Sequence, residues 1–209
     1  MPRILVAGQS RSGSTLLCKI INIMFRQNNV NHTLEFDHPY FSRDSQTIKI
    51  HKYNSNLHRA ADLVFTCRRD LRDSIVSGYK TVEKPWNSAF GRGWTYHTVG
   101  KDLLREYTDW EDKQDYEFVY EEYFKDKNKI LNEVASILEL ATQPEIILEE
   151  LEKDKPVHID DNSKLHLRDR KGIASNGGKI GVYKTYFSKE EVEDLNEVYG
   201  DWLKRKGYL

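Results

Sequence analysis

Three short stretches of this chain combine the residue types that chemistry at an anionic group requires. In Ile48-Lys49-Ile50-His51 apolar and polar residues alternate strictly. If the stretch is a strand, both isoleucines take one face, and Lys49 and His51 emerge together on the other. That pairs a fixed cation with an imidazole whose ordinary pKa of ~6.5 lets it accept a proton near neutral pH. An exposed edge strand whose Lys and His face water accounts for the pattern equally well. The second stretch is Gly8-Gln9-Ser10-Arg11-Ser12-Gly13-Ser14-Thr15, between an apolar run at residues 4–7 and apolar residues at helical spacing over 14–25. Strand, Gly/Ser-rich loop and helix in that order let backbone N–H groups cradle a phosphate. The third, Cys67-Arg68-Arg69-Asp70-Leu71-Arg72-Asp73-Ser74-Ile75-Val76-Ser77, passes from a buried strand into a helix. Arg69, Asp73 and Ser77 stand at i, i+4 and i+8, on one face if the helix starts early enough. An arginine at the strand's carboxyl end and a serine two turns on can hold a phosphate, with Asp73 orienting the guanidinium. Taken alone, three arginines within five residues more often form a solvated face.

The first loop has the spacing of a nucleotide phosphate loop, but Ser14 stands where that motif places lysine, and the basic group is Arg11. The missing lysine is the one that reaches the β- and γ-phosphates in triphosphate chemistry. The loop therefore suits one 5′-phosphate and its substituent. No HExxH, DxDxDG or Cys/His cluster occurs, so nothing predicts a metal. The seven histidines are scattered, and apart from His51 each is read as structural or surface.

These residues need elements to position them. Strands are expected at 4–7, 33–36, 47–51, 63–67 and 117–120, and helices at 14–25 and 71–80. Strands alternating with helices predict an α/β fold, one domain over residues 1–209, with a P-loop-like central parallel sheet flanked by helices on both faces. Ligands of such sheets bind at the carboxyl ends of the strands. Residues 84–100 mix aromatics and glycines without a clean period and read as a covering loop, with 86–97 a candidate wall for an acceptor and Glu35 or Asp37 adding polar contacts. Residues 154–181 are polar and loop-like. Ser188 and Glu191 form a capping box for a last helix, with Val192, Leu195, Tyr199 and Trp202 on one face.

Composition sets the bounds. With 209 residues, 38% hydrophobic and 31% charged, and a net charge of -1, the chain can bury a core and lacks the basic excess of a nucleic-acid binder, so any anion site is built locally. Cys18 and Cys67 lie in apolar runs and predict buried thiols rather than a disulfide. The N-terminus opens directly into a strand and no stretch approaches a membrane span, which points to a cytoplasmic protein.

Residues 10–17, SRSGSTLL, resemble the 5′-phosphosulfate loop of the sulfotransferases that use 3′-phosphoadenosine-5′-phosphosulfate (PAPS). By that resemblance Arg11 takes the basic position, Ser14 and Thr15 the hydroxyl positions, and Ser12 and Gly13 complete the cradle. Arg69 and Ser77 are similar to the family's 3′-phosphate motif, and Lys49-Ile50-His51 looks like its Lys-Thr-His segment. The resemblance implies that His51 is the general base and that Lys49 and Arg11 act at the sulfuryl group. Tyr120-Glu121-Glu122 resembles the family's Tyr-Glu-Asp, whose tyrosine approaches the adenine. Residues 168–172 and 181–188 resemble its Arg-Lys-Gly loop and the stretch after it, so Arg170, Lys171 and Gly172 are expected to close over the 3′-phosphate.

Three departures stand out. Leu16 replaces an aromatic that stacks on adenine, Tyr183 replaces a tryptophan, and the chain is shorter than typical cytosolic members, on the acceptor side. What the resemblance implies is sulfuryl transfer without a metal, giving 3′,5′-adenosine bisphosphate (PAP), to a hydroxyl, less readily an amine, of a small molecule, carbohydrate or lipid. A P-loop small-molecule kinase and a non-catalytic nucleotide-binding protein are the alternatives. The absent lysine and the Arg69/Ser77 pair count against the first, and His51 in register with Lys49 against the second.

Overall fold

Alternating apolar side chains make the central strand. β1 (Arg3–Gly8) sends Ile4 and Val6 to one side and Leu5 and Ala7 to the other, and all four are fully buried. A strand apolar on both faces must be covered on both. The computed structural model describes residues 2–82, 96–153 and 179–209. Beside β1 its strands are β2 (Thr33–Phe36), β3 (Gln46–Lys49), β4 (Leu63–Arg68) and β5 (Tyr116–Val119), in the spatial order β2-β3-β1-β4-β5. Every pairing is parallel.

The helices in chain order are α1 (Ser14–Gln27), α2 (Ser55–Ala60), α3 (Leu71–Val82), α4 (Tyr96–Thr108) and α5 (Tyr120–Lys125). They continue as α6 (Lys127–Ile137), α7 (Pro144–Lys153), α8 (Tyr183–Tyr186) and α9 (Lys189–Arg205). On one face α1, α6 and α7 close over Ile4, Val6, Phe65, Cys67 and Phe118. On the other, α3, α4 and α9 pack together through Leu71, Ile75, Leu103, Tyr107, Leu195 and Trp202. Trp110, just beyond α4, joins Leu5, Ala7, Ile48 and Val64. The parallel α/β architecture with helices on both faces is the expected one. Both bonds of the Ser188/Glu191 capping box form.

Connectivity sets the position of the cleft. After β1 the chain turns through α1 toward β2 and β3, whereas after β4 it turns through α3 toward β5. The loops following the adjacent strands β1 and β4 therefore diverge, which opens a crevice at the carboxyl edge of the sheet. The phosphate loop and the Arg69 segment form its two lips.

Three boundaries that bear on the site differ from the sequence expectation. β3 ends at Lys49, not His51. The ladder continues only to the bond from Ile50 N–H to the Val6 carbonyl (2.9 Å), and the Gly8 carbonyl further along β1 is taken by the His51 side chain. Because β3 lies between β2 and β1, the edge-strand alternative for Lys49 and His51 does not hold. β5 ends at Val119 and Tyr120 opens α5, so this tyrosine is a helix residue rather than a strand residue. Within the expected covering loop, residues 96–100 are the start of α4, a helix whose Gly100, Leu103 and Tyr107 are buried. The rest of that loop lies outside the described residues.

Candidate active site

The phosphate loop folds as it does because two glycines adopt backbone angles open to few other residues. Gly8 has φ +96° and Gly13 φ +97°. A Cβ on Gly13 would come within 2.8 Å of the Tyr120 ring, and one on Gly8 within 3.1 Å of the Cys67 carbonyl. Both sites need the left-handed region and the missing side chain. Arg11 also lies there, at φ 66°. Ser12 closes the turn with a short hydrogen bond to the Gln9 carbonyl. α1 starts at Ser14 with no side-chain cap. The N-terminal amides of this 14-residue helix are thus left for another acceptor, where the helix dipole favours an anion.

Two cations approach this helix end from different elements. Lys49, the last residue of β3, donates from Nζ to Thr15 Oγ1 at 2.7 Å, with its ammonium 5.2 Å from the centre of the Phe36 ring. Arg11 donates from Nε to Ser77 Oγ at 3.1 Å. The sequence placed Arg11 and Ser77 in different anion sites, but here they are hydrogen-bonded to each other across one cleft.

His51 is held by its ring and by its backbone. Its Nδ1 lies 2.9 Å from the Gly8 carbonyl, and its own carbonyl accepts from Trp110 Nε1 at 3.0 Å. A carbonyl can only accept, so the neutral imidazole carries its proton on Nδ1 and leaves the Nε2 lone pair free to act as a base. Burial, and then the nearby Lys49 ammonium, push the His51 pKa below its ordinary 6.5, against opposing pulls from Glu106, the Gly8 carbonyl and Asp37. The ring is therefore neutral at pH 7.

On the other lip, Arg69 is 3% exposed and its Nη2 lies 3.5 Å from an oxygen of Asp73, which is fully buried. Asp73 also accepts from the backbone N–H groups of Gly181 (2.8 Å) and Tyr183 (3.0 Å), and Arg69 Nη2 donates to the Lys179 carbonyl at 2.9 Å. Arg69 Nε is buried and has no hydrogen-bond partner among the described residues. A buried donor of that kind is costly unless an acceptor arrives. The ring of Tyr120 lies between Gly13 and Arg69, with the guanidinium carbon 4.3 Å from its centre. Burial raises the Tyr120 pKa, so the phenol is neutral.

The three arginines are not a solvated face. Arg72 is 2% exposed, binds both oxygens of Asp70 and lies 4.1 Å from the centre of the Tyr183 ring. Arg68 pairs with Glu117 at 3.0 Å.

Lys49, His51, Arg11, Ser12, Gly13, Ser14, Thr15, Arg69, Ser77 and Tyr120 thus gather on one cleft. Arg170, Lys171 and Gly172 lie outside the described residues, although the chain that follows them is fastened to Arg69 and Asp73. Tyr96 and His97, expected in an acceptor wall, instead turn to α9, where both reach the Asp194 carboxylate (2.8 and 2.6 Å). Leu16, in place of the stacking aromatic, packs against the core. Sequence reasoning missed Gln9, which accepts the Arg69 N–H (3.1 Å) and ties the lips together, and Glu106, which accepts the Ser10 N–H (2.9 Å). These contacts span 60 and 96 residues, and no local pattern marks them. Among the described residues no group of three or more His, Cys, Asp or Glu is placed to hold a metal ion, and no helix is long and apolar enough to cross a membrane.

The sulfotransferase domain family model matches residues 1–207. No curated protein matches the chain in sequence. Among solved structures, retinol dehydratase in a complex with retinol and PAP is similar at TM-score 0.66 and 16% identity, covering 97% of this chain and 81% of that one. The same enzyme with androsterone and inactive cofactor PAP gives 0.66 and 16%, over 97% and 80%. Mouse sulfotransferase SULT7A1 complexed with PAP gives 0.65 and 13%, over 96% and 83%.

Proposed function

The chain belongs to the sulfotransferase domain family, and from that premise we propose that its cleft binds PAPS and passes the sulfuryl group to an acceptor hydroxyl, with His51 as the general base. The residues fit such a ligand. The uncapped start of α1 and the buried Arg69 Nε, which has no partner among the described residues, are donors suited to phosphate groups, and the missing side chain of Gly13 lets the Tyr120 ring close against the loop. Arg11, Ser12, Gly13, Ser14 and Thr15 would hold the 5′ end, Arg69 and Ser77 the 3′-phosphate, with Arg170, Lys171 and Gly172 closing over it. Tyr120 would border the adenosine and hold Arg69 in orientation.

When bound, PAPS supplies an activated sulfuryl group on a phosphosulfate anhydride. The chain's own residues do the rest. His51 Nε2 takes the proton of the acceptor O–H, and the oxygen uses the released electron pair for its new bond to sulfur. Lys49 and Arg11 set positive charge where the S–O bond to the nucleotide breaks and its pair stays on the phosphate oxygen. The transferred group is less negative than a phosphoryl group, so these cations suffice without a metal. The observation that carries the reading is the hydrogen bond between His51 Nδ1 and the Gly8 carbonyl, which aligns a neutral base with the phosphate loop itself. The acceptor is a hydroxyl of a small molecule, carbohydrate or lipid, the domain is the whole of residues 1–209, and the site of action is the cytoplasm.

The test combines labelled PAPS, a panel of phenols, sugars and lipid alcohols, and two variants. His51→Ala should keep PAP affinity within about 3-fold and lose at least ~10²-fold in kcat, whereas Arg69→Ala should weaken PAP binding by at least about 10-fold. Equal losses of binding in both variants would overturn this division of labour.

A further inference from the structure

The C-terminal end of α4 and the residues just beyond it contact both the phosphate loop and the base. Glu106 Oε2 accepts the Ser10 N–H at 2.9 Å, and Trp110, four residues on and fully buried, donates to the His51 carbonyl at 3.0 Å. Since the Gly8 carbonyl faces His51 Nδ1, the phosphate loop, the base and α4 form a closed set of contacts. The charges facing His51 come from three elements: Lys49 from β3, Asp37 from the end of β2 and Glu106 from α4. Asp37 is exposed and Glu106 half-buried, so the field of Glu106 is the less screened of the two carboxylates.

A base in this position faces two opposed demands. It must be neutral before reaction, which burial and Lys49 secure, yet carry a full positive charge once it has taken the proton. A negative charge already fixed beside it meets the second demand without reorganisation. We propose that Glu106 is a positioning residue for the transfer, fixing the Ser10 end of the phosphate loop and stabilising the imidazolium that His51 becomes. This rests on His51 being the base.

The experiment is the pH profile of kcat/KM, with PAP affinity measured alongside, for Glu106→Gln, Glu106→Asp and Glu106→Ala. The glutamine keeps an oxygen for Ser10 but not the charge. It should bind PAP within about 3-fold of the parent, lose about 10-fold in kcat and move the acid limb to lower pH, because the protonated ring has lost a partner. The aspartate should restore the limb, and the alanine should in addition weaken PAP binding. A glutamine variant with parental kcat and an unmoved limb would reduce Glu106 to a structural anchor and overturn the inference, while leaving the base assignment standing. Full turnover in His51→Ala would instead remove the base assignment itself.

Discussion

Asp73 accepts three donors at once, the Arg69 guanidinium and the N–H groups of Gly181 and Tyr183, from a position with no exposure to water. An amide there would set its NH2 against donors and leave a buried arginine without its counter-charge. Asp73→Asn should therefore cost about 3 kcal/mol of stability, or roughly 6–12 °C in Tm for a chain of this size, and should weaken PAP binding because Arg69 is no longer oriented. A thermal melt decides it, and a shift below about 2 °C would mean that Asp73 is replaceable. At this scale the site was readable where spacing within one element brings residues together. Lys49 and His51 share a side because strands alternate, and Asp73 and Ser77 stand one turn apart on α3, whereas Arg69 precedes that helix, which starts at Leu71, and reaches Asp73 from outside it. Gln9 and Glu106 were not readable, because each acts on a segment that only the tertiary fold brings near.

His32 shows how elements are joined. Its ring stacks on Phe25 of α1 with centroids 3.9 Å apart, and its two nitrogens lie 2.9 Å from Ser45 Oγ and 2.7 Å from Thr47 Oγ1, which ties α1 to β3 and to the turn before it. Burial lowers its pKa from 6.5 to about 4. Between these values the unfolded chain binds more protons than the folded one, so stability falls as pH drops from 6.5 toward 4. After a discount for the partly exposed ring, the loss attributable to His32 at pH 5 is about 1 kcal/mol, or 2–4 °C in Tm. His32→Gln should show a correspondingly smaller drop in Tm between pH 7 and pH 5, and an unchanged drop would contradict this. Element boundaries were the least legible feature. The Tyr120 ring meets Gly13 and Arg69 where β5 gives way to α5, and the His51 ring meets the Gly8 carbonyl just past the end of β3. No propensity records such contacts.

At the scale of the whole molecule the near-neutral charge of -1 conceals a local concentration of cations, Arg11, Lys49 and Arg69, at the crevice between the strands β1 and β4. The alternation of strands and helices made the parallel sheet legible from sequence. It also implied a crevice at the carboxyl edge, though not which strands would flank it, since spatial order depends on packing of both faces. The most direct test is a calorimetric titration of the full chain with PAP and, separately, with ATP and magnesium. PAP without magnesium should bind tightly, at least about 10-fold more so than ATP with magnesium, and should lose that advantage in Arg69→Ala. Tighter binding of ATP with magnesium, or PAP binding indifferent to Arg69, would contradict a cleft built for the two phosphate ends of one adenosine.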